Sequence, residues 1–298
     1  MLNSVIMAKA STKAKPKFMN YDHQFHAGNA ADCCKHLALT LSLQALIRKD
    51  APLAYIDTHA GAARYTLARE GEYREGIGRL WSDRRSLVHA ATWLKTVAAA
   101  NTDGALRHYP GSPAVAAALL RPTDRMVLCE QEAEPAQTLR TAMGRRAHTS
   151  ILVENGYHAL FAQIPPAERR GLVLLDPPFE ARDEWERLTD TLLRAYQIWP
   201  QGMYLVWYPV KTRGTITRFL QGLRGKLPAT VMELLQRPEE GRERLIGSGL
   251  LMVNPTWGVV DSLAAAFAEI GPLLADPATG GRWSLRCEGW PKAPVPAQ

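Results

Sequence analysis

Cysteine is scarce in this chain of 298 residues: Cys33, Cys34, Cys129 and Cys287 include one adjacent pair and no Cys-x-x-Cys spacing. That argues against a disulfide framework and against a zinc ribbon, and the thiols are expected to be reduced. Long apolar runs are also missing. None approaches the roughly 20 residues that span a bilayer, and the first 17 residues lack the continuous apolar segment of a secretory signal, so the expected location is the cytoplasm. There is no internal repeat, heptad ladder, P-loop or full dinucleotide fingerprint. Ile246-Gly247-Ser248-Gly249-Leu250 has the wrong spacing for a serine nucleophile elbow.

What is present suits a globular protein of one large or two modest domains, because 46% hydrophobic residues supply an ample core. A net charge of +7 points towards a polyanionic partner, RNA or DNA, through counterion release; many basic proteins bind neither. Residues 1–18 carry Lys9, Lys13, Lys15 and Lys17 among Ala, Ser and Thr with no periodic apolar pattern, which predicts a disordered basic arm. Such an arm either holds RNA electrostatically or has no essential role.

Chemistry concentrates at Gly171-Leu172-Val173-Leu174-Leu175-Asp176-Pro177-Pro178-Phe179. Five apolar residues in a row predict a parallel strand buried on both faces, and the acid and two prolines end it. Asp176 therefore stands at a strand's carboxyl end, the edge where open α/β sheets bind ligands. The exocyclic amine of a nucleobase is a poor nucleophile, since its lone pair is delocalised into the ring. A carboxylate and a fixed carbonyl, here Asp176 and Pro177, can hold its two hydrogens and favour a pyramidal nitrogen. Phe179 offers a face on which a flipped-out base stacks for about 1–3 kcal/mol. The same residues also fit an ordinary strand exit with a capping Asp, or another carboxylate chemistry.

The other segments build a Rossmann-like alternation around that strand. Asn29 is the expected N-cap of an amphipathic helix running to about Lys49, preceded by an unusually polar stretch from Tyr21. Its histidines and cysteines do not make a good metal site: adjacent cysteines on a helix point about 100° apart, and the His-x-x-His pair precedes the helix. Residues 52–57 predict a strand that runs through the small residues Ala60 to Ala63 into a helix start. Residues 66–108 are expected to form a helical insertion subdomain, including a helix from Ser86 to Ala100. Residues 19–65 and 109–298 would make the main domain. Ser112 is the expected N-cap of the next helix, with Pro113 at its first position. Residues 126–130 and 150–156 predict strands ending near Glu130, an acid placed to hold ribose hydroxyls or simply solvated, and near Asn155 and Gly156. A strand at 203–208 and an antiparallel hairpin from 229–236 and 247–255 complete the sheet.

Taken together, Tyr21-x-His-x-Phe-His-Ala-Gly-Asn-x-Ala-Asp-x-x-Lys35-His36, Asp57-Thr58-His59-Ala60-Gly61-Ala62, Tyr109 to Pro113, Asp176-Pro177-Pro178-Phe179 and Trp207-Tyr208-Pro209 resemble the bacterial 23S ribosomal RNA adenine-N6 methyltransferases of the J type, which modify adenine 2030. The resemblance covers nearly everything after residue 18. It implies a class I methyltransferase fold, S-adenosylmethionine as cofactor with no metal, and a monomer acting on 23S rRNA before or during ribosome assembly. It also implies that His36, His59, Ser112, Glu130, Asn155, Gly156 and Asp176 line the cofactor site, that Asp176 is the catalytic acceptor, and that Tyr21, Lys35, Pro177 and Phe179 meet the RNA. Three features depart from the pattern: Asn155 replaces the usual Asp, Phe179 replaces the usual Tyr, and residues 1–18 are extra. The Asn155 side-chain oxygen is expected to accept the bond from the cofactor's adenine amine that the Asp would take. Two other classes fit the same residues: a non-catalytic RNA-binding protein with a retained cofactor pocket, and a methyltransferase for DNA adenine or a protein amide.

Overall fold

A computed structural model of the chain describes residues 23–211, 213–239 and 245–291; the expected basic arm and Tyr21 lie outside the described residues. One helical turn, α1 (His23–His26), leads into α2 (Ala30–Leu46) and then β1 (Ala54–Asp57). The short strands β2 (Arg64–Thr66) and β3 (His108–Pro110) pair antiparallel, and between them lie a 3-10 turn (Glu72–Glu75) and the helices α3 (Ile77–Trp81) and α4 (Ala91–Ala99). Helix and strand then alternate through α5 (Ser112–Leu119), β4 (Arg125–Cys129), α6 (Ala133–Met143), β5 (Thr149–Leu152), α7 (Gly156–Gln163), β6 (Gly171–Leu175), α8 (Glu184–Ile198), β7 (Met203–Val210) and α9 (Arg213–Leu223). The chain finishes with β8 (Ala229–Leu235), β9 (Gly247–Val253), α10 (Val259–Leu274) and β10 (Ser284–Trp290).

The main sheet has the order β10-β8-β9-β7-β6-β1-β4-β5. Strands β5, β4, β1, β6 and β7 are parallel. Strand β9 is antiparallel to β7 and β8, and β10 adds a further antiparallel strand beside β8. This is the expected α/β architecture, mostly parallel with a C-terminal antiparallel hairpin, and β10 extends it by one strand. The chain winds outward from β1 through β4 to β5, then crosses back to β6 and β7. The winding reverses between β1 and β6, so their carboxyl ends flank the crevice where such sheets bind ligands.

Both sheet faces are covered, which is why the central strands read as continuous apolar runs. Tyr55, Leu172 and Leu174 point into a core shared with Leu37 of α2, Val115 of α5 and Phe267 of α10. Their neighbours Ile56, Val173 and Leu175 point the other way, towards Leu160 of α7, Leu192 of α8 and Phe219 of α9. Four expectations are corrected. Helix α2 is buried without a break from Asp32 to Thr40 instead of being amphipathic, because the sheet, α4, α5 and α10 all pack on it, and it stops at Leu46. No helix follows β1: Gly61 and Ala63, with φ of 62° and 63°, turn the chain into β2. Helix α4 starts at Ala91 instead of Ser86. The N-cap of α5 is Gly111, and Ser112 is its first helical residue.

Candidate active site

Asp176 follows the last residue of β6, and Lys35 reaches it from α2 across 141 positions of sequence. The Lys35 ammonium contacts Asp176 Oδ2 and stands 2.9 Å from Asp32 Oδ1. Lys35 is 6% exposed and Asp32 5%. Burial alone would push the lysine pKa down, but the charges of Asp176 and Asp32 outweigh it and hold the value above the ordinary one. Lys35 is therefore engaged in the interior and is not presented to a phosphodiester.

The polar residues that open α2 have specific partners. Asn29 caps the helix by accepting the Asp32 N–H at 2.9 Å, and its amide donates to Glu72 Oε2 at 2.9 Å. His26 Nδ1 lies 2.9 Å from the same Glu72 oxygen. The Gly28 N–H donates to Asp32 Oδ2 at 2.9 Å, and the Gly28 carbonyl accepts from Ile77. This stretch thus ties the segment between β2 and β3 to the helix that carries Lys35.

At the end of β1, Asp57 is fully buried and accepts from Tyr55 Oη and Ser112 Oγ, both at 2.7 Å, and from the His59 N–H at 3.3 Å. Burial raises its carboxyl pKa even though these bonds pull the other way. The Thr58 hydroxyl donates to the Leu174 carbonyl at 3.0 Å, so His59 Nδ1, 2.8 Å away, must donate to Thr58 Oγ. His59 Nε2 is then an acceptor at the carboxyl edge. Burial, with the cations of Arg187 and Lys35, lowers the imidazole pKa to about 3 and keeps it neutral. Glu130, just past β4, accepts from Gly61 N–H at 2.9 Å and from Glu132 N–H at 2.8 Å. Burial raises its carboxyl pKa against those bonds.

Helix α7 begins against the same edge. A Cβ on Gly156 would come within 1.7 Å of the Thr58 carbonyl, so only glycine allows the helix to start so close to β1. Asn155 caps α7 through Oδ1, which accepts from Tyr157 N–H at 3.1 Å and His158 N–H at 3.3 Å. Three residues after Asp176, Phe179 is half-buried with φ of 54°, its ring 4.6 Å from Trp185 and 5.8 Å from Trp207. A left-handed backbone costs a non-glycine residue about 1 kcal/mol or more, and these tryptophans hold the ring that requires it.

One edge thus gathers His59, Ser112, Glu130, Asn155, Gly156 and Asp176 from five loops, while Pro177 is buried beside Asp176. His36 lies inside the protein, 2% exposed, its Nδ1 2.9 Å from Tyr109 Oη. Sequence reasoning missed Asp32, Glu72, Asp57 as a hydrogen-bond hub, and Trp185. Only Asp32 carried a local signal, three residues before Lys35 on one helix face. The small-residue turn Ala60 to Ala63 and the half-buried Glu130 carboxylate suit an adenosine-bearing cofactor: the turn admits it close to the backbone, and the carboxylate can accept from hydroxyls.

The family described as "Ribosomal RNA large subunit methyltransferase D, RlmJ" matches residues 50–286. The chain belongs to this family. Among its relatives is the ribosomal RNA large subunit methyltransferase J of Haemophilus influenzae, 36% identical over 278 residues that cover 90% of this chain and 98% of that protein. The protein of the same description from Escherichia coli is 34% identical, covering 88% of this chain and 96% of its own. A solved structure from Legionella pneumophila is 32% identical and superposes with a TM-score of 0.84, covering 90% of this chain and 100% of that one. The family match from residue 50 to residue 286 takes in the edge that carries Asp176.

Proposed function

We propose that the protein transfers one methyl group from S-adenosylmethionine to the N6 amine of an adenine in 23S ribosomal RNA, at the family position, adenine 2030. The observation that carries this is Asp176, at the carboxyl end of β6 beside the reversal of strand winding, followed three residues later by Phe179, whose ring packs on Trp185 and Trp207. His59, Glu130, Gly61 and the start of α7 would hold the cofactor. When bound, it supplies a methyl group on a positive sulfur, and the carbon–sulfur electron pair stays with the departing thioether.

The protein's own residues act on the base. Phe179 stacks it, and Asp176 with the Pro177 carbonyl accepts the two amine hydrogens, so the nitrogen lone pair is turned out of the ring's plane towards the methyl carbon. Holding the amine in line accounts for much of the acceleration. As the new nitrogen–carbon bond forms, the nitrogen becomes positive, and the Asp176 carboxylate stabilises that charge before one proton is lost from the nitrogen. Family membership supports RNA as the substrate, and the +7 charge agrees with it.

Transfer of labelled methyl to bare 23S rRNA, DNA or protein separates this function from its competitors. The expected product is N6-methyladenosine in nucleoside digests of the rRNA. Label found only in DNA or protein would redirect the substrate class, and no transfer to any of them would leave a binding protein.

A further inference from the structure

The Lys35 contact sets a problem for this chemistry. A carboxylate against a reacting amine is useful because it is negative, and in a site shielded from water that charge counts for more than in solution. Lys35 is buried, positive and in contact with the same carboxylate. A one-to-one pair would be neutral and would take from Asp176 most of the charge the reaction uses. The second carboxylate changes this. With Asp32 Oδ1 2.9 Å from the same ammonium, Lys35 divides its charge between two carboxylates and does not belong to Asp176 alone.

We propose that Asp32 is a positioning residue for methyl transfer: by sharing the Lys35 ammonium it keeps Lys35 from neutralising Asp176 on its own, and it keeps Lys35 in place when Asp176 engages the base. The proposal rests on the reading of Asp176 as the amine's acceptor. The geometry is specific. Asp32 and Lys35 are three residues apart on α2, so their contact does not depend on the loop after β6. The other Asp32 oxygen is fixed by the Gly28 N–H, and the Asp32 N–H by Asn29, which is itself bonded to Glu72. An exposed pair at this spacing contributes little, whereas removing one partner from a buried group is strongly felt. Asp57, His59 and Tyr65 also sense the Lys35 charge, but none of them forms an ion pair with it.

Asp32→Asn separates this role from simple support of the helix, because the asparagine oxygen can still accept the Gly28 N–H, while the side chain loses both its charge and the oxygen that faces Lys35. The expected result is a 10- to 100-fold fall in kcat, with KM for rRNA and the cofactor Kd within threefold, and partial recovery in Asp32→Glu. A kcat within threefold of wild type would overturn the proposal. A second measurement needs no activity. In Asp176→Asn, nitrogen-15 NMR of the lysine ammonium groups should still show Lys35 protonated and slow to exchange at neutral pH, because Asp32 holds it. Loss of that signal, or a variant that does not fold, would show that Asp32 cannot carry the buried ammonium and would equally overturn the proposal. Wild-type protein that methylates no adenine would remove the acceptor reading alone, and the NMR result would still decide the role of Asp32.

Discussion

The two ends of α2 handle charge in opposite ways. At the N-terminal end a buried ammonium is set between two carboxylates. Past the C-terminal end, Arg170 donates to the carbonyls of Leu46, Lys49 and Ala51, and Arg121 to those of Lys49, Asp50 and Ala51. The Leu46 carbonyl also accepts from the Lys49 N–H at 3.4 Å, and the carbonyls of residues 49–51 lie beyond the end of α2. Arg121 is also matched by Asp124, which is fully buried and accepts from both sides of the guanidinium and from the Arg121 and Leu53 N–H groups. At the end where the fold only has to be held, Arg121 is matched by Asp124 and Arg170 is held by carbonyls. At the end facing the crevice one buried ammonium is shared by two carboxylates, an arrangement that makes sense where chemistry needs a charged carboxylate.

The largest expected effect breaks the N-terminal arrangement. Asp176→Ala should lower kcat by at least about 10²–10³-fold, the loss found when one preorganised group facing developing charge is removed. The protein should stay folded, since Asp32 still pairs Lys35. Single-turnover rates on rRNA together with a denaturation midpoint test both halves; activity within threefold of wild type would take Asp176 out of the mechanism.

Asp124→Ala is the matching break at the other end. It strands Arg121 and the buried Leu53 N–H, so unfolding free energy should fall by about 3 kcal/mol with kcat unchanged well below the melting temperature. The pH dependence has a definite sign. Burial would raise the Asp124 carboxyl pKa, but the bonds from Arg121 and the N–H groups outweigh it and hold the value below the ordinary one. A depressed folded pKa gives stability that is present above the unfolded value of about 3.9 and is lost as pH falls through the folded value. Urea melts of wild type and variant should therefore differ most near neutrality and draw together below about pH 4. A gap that stays constant into acid would mean that Asp124 acts through packing and not through its charge.

The contrast between the ends also marks what could be read from sequence. Central strands announce themselves because burial on both faces leaves an apolar run such as Leu172 to Leu175, and the acid ending it is visible for the same reason. Asn29 was legible as a cap, because capping is a local matter. Strands β2 and β3, three residues each, are too short to show a period, and β10 is an edge strand whose exposed residues carry little apolar pattern. Ser112 looked like a cap because sequence shows a hydroxyl before a proline; Asp57, which takes that hydroxyl, lies 55 residues earlier. The Asp32, Lys35 and Asp176 group is hidden likewise: one of its contacts is local and the other spans 141 residues.

The smallest expected effect sharpens the boundary between holding a fold and holding a ligand, and it lies at Asn155. By resemblance its side-chain oxygen was expected to accept from the cofactor's adenine amine, but in the structure that oxygen accepts two N–H groups of α7 and the amide donates to Gln131 Oε1 at 3.2 Å. An amide oxygen has two lone pairs, so while the cap is formed there is no place for a third donor. If capping is the role, Asn155→Leu should cost about 1 kcal/mol of stability. Asn155→Asp, which retains the acceptor and adds a negative charge at a helix N-terminus, should gain about 0.5 kcal/mol. Cofactor affinity should move less than threefold in either. Thermal melts and calorimetric titration of the three proteins separate the roles by which quantity moves: a tenfold loss of cofactor affinity in Asn155→Leu with unchanged stability would return the residue to the adenine and show that the cap gives way when the cofactor binds.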